Sequence, residues 1–152
     1  MWLLVLRLDH RRYALPLSVV ERVIRAVDVT PLPRAPLTVR GAINVHGHVL
    51  PVLSLRRRFG LPDREVMPTD VFVLARAAHR RVALIVDEPE GVLEPQEDPI
   101  TASAQITHGL TQFFGVTTLD DDLVLIHDLA AFLSLDDSRR LDEAMRVPFA
   151  ES

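Results

Sequence analysis

Short apolar runs separated by turn residues constrain the fold of this sequence more than any other feature. The runs are rich in Val, Leu and Ile, and most are roughly four to eight residues long, as β-strands are. They cover Trp2–Leu8, Tyr13–Leu17, Arg40–Val45, Val49–Leu55, Val71–Ala75, Val82–Val86, Phe113–Thr117 and Leu123–His127. No amphipathic helix of about 10 to 15 residues alternates with them, which argues against a parallel α/β sheet. The pattern predicts an all-β protein built as a barrel or a sandwich.

Few of these runs alternate cleanly between apolar and polar residues. A strand with one face in water shows that alternation, whereas a strand covered on both faces does not. We therefore expect many strands to be buried on both sides. The expected helices are few and short: one capped by Ser18 over Val19–Val23, one over Asp128–Leu133, and a C-terminal stretch with Leu141, Ala144 and Met145 at helical spacing.

The composition excludes several classes of function. The chain has 152 residues, enough for one domain or two small lobes that share a core. Its 17 basic residues are all Arg and are outnumbered by 21 acidic residues, so the net charge of −4 does not favour nucleic-acid binding. Without Cys there is no disulfide, thiolate zinc site or cysteine nucleophile. The N-terminal apolar run ends at Arg7, too short for a signal peptide or a membrane span, so we expect a cytoplasmic protein.

Residues that could support chemistry are scattered along the chain. His46 and His48 have the spacing to face one side as metal ligands, but no third ligand is near them in sequence. Asp120–Asp122 lacks the pattern of a calcium loop and predicts a hairpin turn. Arg57 and Arg58 are better explained by a solvated strand end than by a nucleic-acid patch, and His127 by a hydrogen-bonded, half-buried residue. We find no nucleophile motif and no phosphate-binding glycine loop, so no catalytic residue, metal or cofactor is predicted.

The most specific motif lies between Val39 and Arg56. It matches the pattern Gly-x-x-Asn-Leu-Arg-Gly-x-x-x-Pro-x-x-Asp-Leu-Arg at Gly41, Asn44, Gly47, Pro51, Leu55 and Arg56. Flanking segments agree with it in order and spacing: Tyr13–Leu17, Thr30–Pro36, Phe59–Pro62, Leu84–Asp87 and Leu125–Leu129. Over residues 1 to about 133 the chain resembles the CheW-like chemotaxis coupling (adaptor) proteins.

This resemblance implies an all-β fold of two small SH3-like five-stranded β-barrel lobes packed together, with a few short helices. It implies a CheW-like domain over residues 1–135, followed by a tail over residues 136–152 that can be helical. It also implies a non-enzymatic adaptor that couples the regulatory domain of a CheA-type histidine kinase to the cytoplasmic tip of methyl-accepting chemoreceptors. Nucleic acid and membrane insertion are not expected. The implied partner-binding residues are Val20, Arg22, Gly41, Asn44, His46, Gly47 and Val92.

The residues of the motif also have local explanations. A tight hairpin needs a residue with positive φ at Gly47, and Asn44 can bond the backbone of that turn. Gly41 suits a bulge or the close approach of another backbone, and we favour a partner-facing role for it.

Three positions depart from the family pattern and leave alternatives open. His46 replaces the usual Arg, Arg22 the usual Glu of the short helix, and Ser54 the usual Asp. A partner with altered charges, in a divergent chemosensory pathway, would explain these changes. The alternatives to the adaptor are a decoy that binds only the kinase, an enzyme with a histidine-based metal site, and a generic β-barrel ligand binder.

Overall fold

The computed structural model describes residues 2–94, 101–102, 113–120 and 122–146. Its strands are β1 (Leu3–Leu8), β2 (Arg11–Pro16), β3 (Val20–Arg25), β4 (Val39–Val45), β5 (His48–Ser54), β6 (Val71–Ala77), β7 (Arg80–Val86), β8 (Glu88–Leu93), β9 (Thr101–Ala102), β10 (Phe113–Leu119) and β11 (Asp122–His127). The helices are α1 (Leu55–Phe59) and α2 (Leu135–Met145), with 3₁₀ turns at Leu17–Val19 and Leu129–Ala131.

The strands form two sheets, and each sheet builds one lobe. The first has the order β8-β1-β2-β11-β10-β9, and the second has the order β3-β6-β7-β5-β4. Each sheet contains one parallel pair, β2 with β11 in the first and β5 with β7 in the second, while its other pairs are antiparallel. The two-lobed, all-β, SH3-like fold expected from the sequence is confirmed. The first sheet gains a sixth strand, the two-residue β9.

Three apolar clusters explain why so few strands alternate in polarity. One cluster lies inside the first lobe around Leu3 and Ile126, and another lies inside the second lobe around Phe72. The largest cluster lies between the lobes; we call it the shared core. Strand β7 shows the consequence, because Val82, Leu84 and Val86 enter the shared core while the alternate residues Ala83 and Ile85 face the second lobe's interior. The expectation of strands covered on both faces is confirmed.

The second lobe closes at Gly41. After β3 the chain crosses the lobe until Thr30 pairs with Ala42 of β4, through hydrogen bonds of 2.9 and 2.8 Å in the two directions. A Cβ on Gly41 would stand 2.2 Å from the carbonyl oxygen of Thr30. The ladder register also shifts between Val39 and Gly41. Both features proposed for this glycine, a bulge and a close backbone approach, are therefore present, and the approaching backbone belongs to this chain.

Two regions differ from the expected secondary structure. The helix expected over Val19–Val23 is wrong, because this stretch continues into β3, an edge strand that pairs with β6 and in which three of six residues are β-branched. Arg56–Arg58 does not end a strand but lies in α1. The α1 helix begins where the hydroxyl of Ser54 accepts a hydrogen bond from the Arg57 amide at 3.2 Å.

The helical spacing near the C-terminus is confirmed by α2. Ser134 caps its first turn by accepting a 3.0 Å hydrogen bond from the amide of Asp137. Leu141 and Ala144 are buried, and Leu141 and Met145 pack against the shared core. Arg80 of β7 forms an ion pair with Asp142, which attaches the helix to the second lobe. Residues 147–152 of the expected tail lie outside the described residues.

Candidate partner-binding surfaces

A two-residue turn joins β4 to β5 at the centre of the motif. Val45 pairs with His48, and the turn residues His46 and Gly47 have φ of 50° and 87°. Positive φ at both positions matches the right-handed twist of the strands, as in a type I′ turn. The side-chain oxygen of Asn44 accepts a 2.8 Å hydrogen bond from the Gly47 amide. The predicted roles of Asn44 and Gly47 in building the turn are confirmed.

The outer side of this hairpin offers the first candidate surface. A pocket of about 220 Å³ is lined by Thr30, Ala42, Ile43, Asn44 and Val49. We call Asn44, His46, Gly47 and Val49 the hairpin-tip surface, since all four are exposed. His46 and His48 are both exposed, and no three His, Cys, Asp or Glu side chains of the described residues are grouped as a metal site would require.

The second candidate surface lies where the chain crosses from the first lobe to the second. Leu17 donates its amide to the carbonyl of Trp2 at 2.8 Å, which extends the β1–β2 ladder and places these side chains opposite each other. Leu4 pairs with Leu15 on one side and with Val92 of β8 on the other. Because side chains alternate between the faces of a sheet and opposite residues share a face, Trp2, Leu17 and Val92 lie on the face that carries Leu4 and Leu15.

This face is buried in the shared core at Leu4 and Leu15 and is exposed to solvent beyond them. Leu4 and Leu15 belong to the shared core, whereas Trp2 and Val92 are each 52% exposed. From the second lobe, Val23 pairs with Val73 of the shared core and is itself exposed. The exposed side chains Trp2, Leu17, Val23 and Val92 form what we call the seam patch.

The residues expected to bind partners are divided between these surfaces. Asn44, His46 and Gly47 form the hairpin tip, and Val92 lies in the seam patch. Val20 is half-buried beside this patch and packs against the shared core. Arg22 is exposed on β3, which is a strand rather than the family's expected helix. Gly41 is buried, its intramolecular contact accounts for the glycine, and its partner-facing role stays a prediction.

Sequence reasoning missed three members of the seam patch: Trp2, Leu17 and Val23. Trp2 and Leu17 lie in predicted apolar strands, and Val23 lies in the short helix predicted after Ser18. Their grouping depends on the β1–β2 register and on the pairing of β3 with β6, which local patterns do not contain.

Sequence reasoning also missed a set of charged side chains that joins the lobes. Arg56 donates to Asp9 at 2.7 and 3.1 Å and to both oxygens of Asp87 at 3.0 Å. Arg64 donates to Asp87 at 2.7 Å and to Asp70 at 2.7 and 3.0 Å. We call these five residues the ionic cluster. Arg56 is only 8% exposed and Asp70 3%, so two charges are held inside the protein by their partners.

The pKa of Asp87 reports the strength of these contacts. Burial acts to raise the pKa of this carboxyl. The hydrogen bond from the Asp9 amide, together with Arg56 and Arg64, outweighs burial and lowers the pKa below its usual range. Asp87 is therefore ionised at neutral pH and accepts hydrogen bonds from three parts of the chain.

His127 is more deeply buried than the sequence suggested. It is 2% exposed, so the expectation of a half-buried residue is wrong. Its ring meets Phe59 and Phe132 edge to face, with ring centroids 5.3 and 5.7 Å apart. Burial, with a smaller effect from Arg58, lowers the pKa of the imidazole from 6.5 to about 4. The side chain thus serves as a neutral core residue at pH 7.

The expected turn at Asp120–Asp122 is confirmed for the residues that the structure describes. Leu119 pairs with Asp122 at the end of the β10–β11 hairpin, and Asp120 has a φ of 51°. Asp121 lies outside the described residues. Asp122 forms a 3.3 Å ion pair with Arg12, as a surface residue of the first lobe. In the described part of the chain, no helix has the length and hydropathy needed to cross a bilayer.

Comparisons with known proteins agree with this geometry. The profile of the CheW-like domain matches residues 3–137. The probable chemotaxis protein CheW of Rhizobium etli is 24% identical over 134 residues, which cover 87% of this chain and 86% of that protein. The chemotaxis protein CheW of Rhizobium meliloti is 26% identical over 129 residues, covering 84% and 83%.

A solved structure is also similar. The scaffolding protein TtCheW from Thermoanaerobacter tengcongensis matches with a TM-score of 0.80 and 26% identity, over 90% of this chain and 94% of that one. The profile match spans most of the sequence, and the structural match includes both lobes. This chain therefore belongs to the CheW-like domain family.

Proposed function

We propose that this protein is a non-enzymatic scaffold of chemotaxis signalling that holds a CheA-type histidine kinase and chemoreceptors in one cytoplasmic assembly. Relatives across most of its length are named chemotaxis protein CheW, and the similar solved structure is described as a scaffolding protein. The observation that carries the proposal is the seam patch, an apolar surface continuous with the shared core. A protein that performs no chemistry has a use for such a surface in binding other proteins.

The seam patch suits the helical tip of a receptor. An amphipathic helix binds by laying its apolar face into an apolar groove, and the patch offers one aromatic and three aliphatic side chains flanked by both lobes. The hairpin-tip surface is separate from it in the second sheet and is more polar, so we assign it to the regulatory domain of the kinase. Two separate surfaces allow the chain to hold both partners at once.

A charge introduced into the seam patch tests the receptor contact. Val92→Asp should weaken binding to a purified receptor cytoplasmic fragment at least tenfold, about 1.4 kcal/mol, because it places a charge in a contact that excludes water. Leu123→Asp is the matched control, since Leu123 is also an exposed strand residue. It precedes Val124, which pairs with Arg12, and so lies at the other end of the strands from Trp2 and Leu17. If both variants lose affinity equally, or neither loses affinity, the seam patch is not part of the receptor contact.

The hairpin tip tests the kinase contact. His46→Arg restores the family's usual charge and fork of donors, so it should tighten binding to the regulatory domain of the cognate kinase. His48→Arg adds the same charge two residues away and is the control. An unchanged affinity in His46→Arg would show that the tip makes no charged contact.

The same assays separate the scaffold from a decoy. A scaffold binds the kinase domain and the receptor fragment together, whereas a decoy binds the kinase domain alone. Co-sedimentation of all three components decides between them. Failure of the receptor fragment to sediment with this protein under any condition would support the decoy.

A further inference from the structure

Within the described residues the chain passes between its two sheets at two places, and the ionic cluster lies at one of them. The first passage is the segment from Leu17 to Val20, beside the seam patch. The second is Asp87, a single residue between the end of β7 in the second sheet and the start of β8 in the first. The two connections leave the angle between the lobes to be fixed by side chains, both in the shared core and around each crossing.

Asp87 bonds to both lobes at this crossing. Its carboxylate accepts from the amide of Asp9 at 2.8 Å, in the turn after β1 of the first sheet. It also accepts from Arg56, which follows β5 of the second sheet, and from Arg64, which is bonded to Asp70 just before β6. The Asp87 amide donates to the Arg7 carbonyl at 3.1 Å, which adds a backbone bond to the same crossing.

The strands that meet this cluster carry the seam patch at their other ends. Strand β1 reaches Asp9 at one end and Trp2 at the other, and β8 starts next to Asp87 and carries Val92. Seven residues separate Asp9 from Trp2, about 23 Å at roughly 3.3 Å per residue. A rotation of about 5° at the cluster would therefore move the seam residues by about 2 Å. A gap of about 1 Å already removes much of an apolar contact, so this displacement is large for a docking surface.

We propose that the ionic cluster sets the angle between the two lobes, and so the spacing of the seam patch, with Asp87 as the positioning residue. The seam patch is the surface to which we assign the receptor, so the predicted effect on receptor binding rests on the proposed function. The structural part of the proposal, the fixed angle between the lobes, stands independently of any partner.

Asp87→Asn is the direct test, because it keeps the shape of the side chain and removes its charge. Asp63→Asn is a closely matched control. Asp63 also bonds two arginines, Arg40 at 3.0 Å and Arg57 at 2.9 Å, but both follow or belong to strands of the second sheet. Asp63 accepts the backbone amide of Arg64 at 3.0 Å as well, a bond that the side-chain oxygen of Asn can keep. Neutralising Asp63 therefore removes an equivalent pair of contacts without releasing the crossing.

The readout is the distance between the lobes. The chain has no Cys, so spin labels can be placed at Thr118→Cys in the first lobe and Arg76→Cys in the second, both exposed. Asp87→Asn should broaden the label-to-label distance distribution or shift its mean. Asp63→Asn should leave it unchanged. An unchanged distribution in a folded Asp87→Asn protein would overturn the proposal.

Binding provides the second readout. Asp87→Asn should weaken binding of the receptor fragment about tenfold. The affinity for the kinase domain should change less than twofold, since the hairpin tip belongs entirely to the second lobe. Equal losses for both partners would indicate general destabilisation and contradict a positioning role. If Asp87→Asn fails to fold, Arg64→Gln takes its place, because Arg64 is at the more exposed margin of the cluster. If the unmodified protein binds no receptor fragment, the proposed function fails, whereas the distance measurement still tests the inference.

Discussion

Gly41→Ala tests how the second lobe is closed. The added Cβ would lie 2.2 Å from the Thr30 oxygen and 2.8 Å from both the Thr30 carbonyl carbon and a methyl group of Val29. Two of these three atoms are backbone and cannot rotate away, so the crossing segment must retreat by more than about 1 Å. The two hydrogen bonds between Thr30 and Ala42 are then broken at a point where Ala42 is buried and Thr30 is exposed.

The expected magnitude follows from those two bonds. Each broken bond leaves a backbone group without a good partner, which costs about 1.5 kcal/mol. The free energy of unfolding should therefore fall by about 3 kcal/mol. At about 2 to 4 °C per kcal/mol for a chain of this size, the melting temperature should fall by about 6 to 12 °C. Gly47→Ala is the control, because Gly47 also has positive φ but no atom within 4 Å of its Cβ position. It should cost about 1 kcal/mol, from backbone conformation alone.

Urea unfolding and amide hydrogen exchange provide the assay. Gly41→Ala should lose protection at the amides of Thr30 and Ala42, and Gly47→Ala should keep it. Equal destabilisation of the two variants, with both amides still protected, would refute the steric argument. The affinity of folded Gly41→Ala for the kinase domain then tests the partner-facing role that remains a prediction for this glycine.

Three further predictions concern the rest of the fold. His127 is neutral in the folded protein, whereas in the unfolded chain it takes up a proton near pH 6.5. The free energy of unfolding should therefore be highest above pH 6.5 and fall by about 3 kcal/mol as the pH drops to about 4. NMR titration of the imidazole checks this, and a titration near pH 6.5, as for an exposed histidine, would contradict it. Leu141→Ala should cost about 3 kcal/mol because Leu141 is fully buried in the shared core, while the exposed control Arg140→Ala should stay within about 0.5 kcal/mol in urea unfolding. Ser54→Ala removes the cap of α1 and should cost about 1 kcal/mol; an unchanged unfolding midpoint would show that the cap contributes nothing.

The strands that could be predicted are those with dense apolar content. Both β6 and β7 are visible as Val- and Leu-rich runs because each strand supplies two apolar clusters at once. By contrast β8 reads Glu-Pro-Glu-Gly, which is turn chemistry, and it is a strand only because β1 pairs with it across a bulge. The charged edge is compensated by tertiary contacts such as the 2.7 Å pair of Glu90 with Arg12. Local propensity does not contain that information.

The functional features also differ in how far the sequence predicts them. The hairpin tip was predictable because Asn44 and Gly47, which are hydrogen-bonded to each other, are only three residues apart. The ionic cluster was not, since Arg56 reaches Asp9 across 47 positions and Asp87 across 31. Short-range motifs specify a turn, whereas buried charge pairs are recognisable only once the strands are in register.

The interleaved order of the sheets has a consequence for synthesis on the ribosome. The second sheet uses only strands between residues 20 and 86, so its partners all emerge together. The first sheet must wait, because Ala14 of β2 pairs with Ile126 of β11, which is translated 112 residues later. Since domains fold as their segments become available, the leucine-rich β1–β2 hairpin is without its final neighbour while the intervening strands are made. Until β11 has been translated, this hairpin is the part of the domain most open to chaperones and to aggregation.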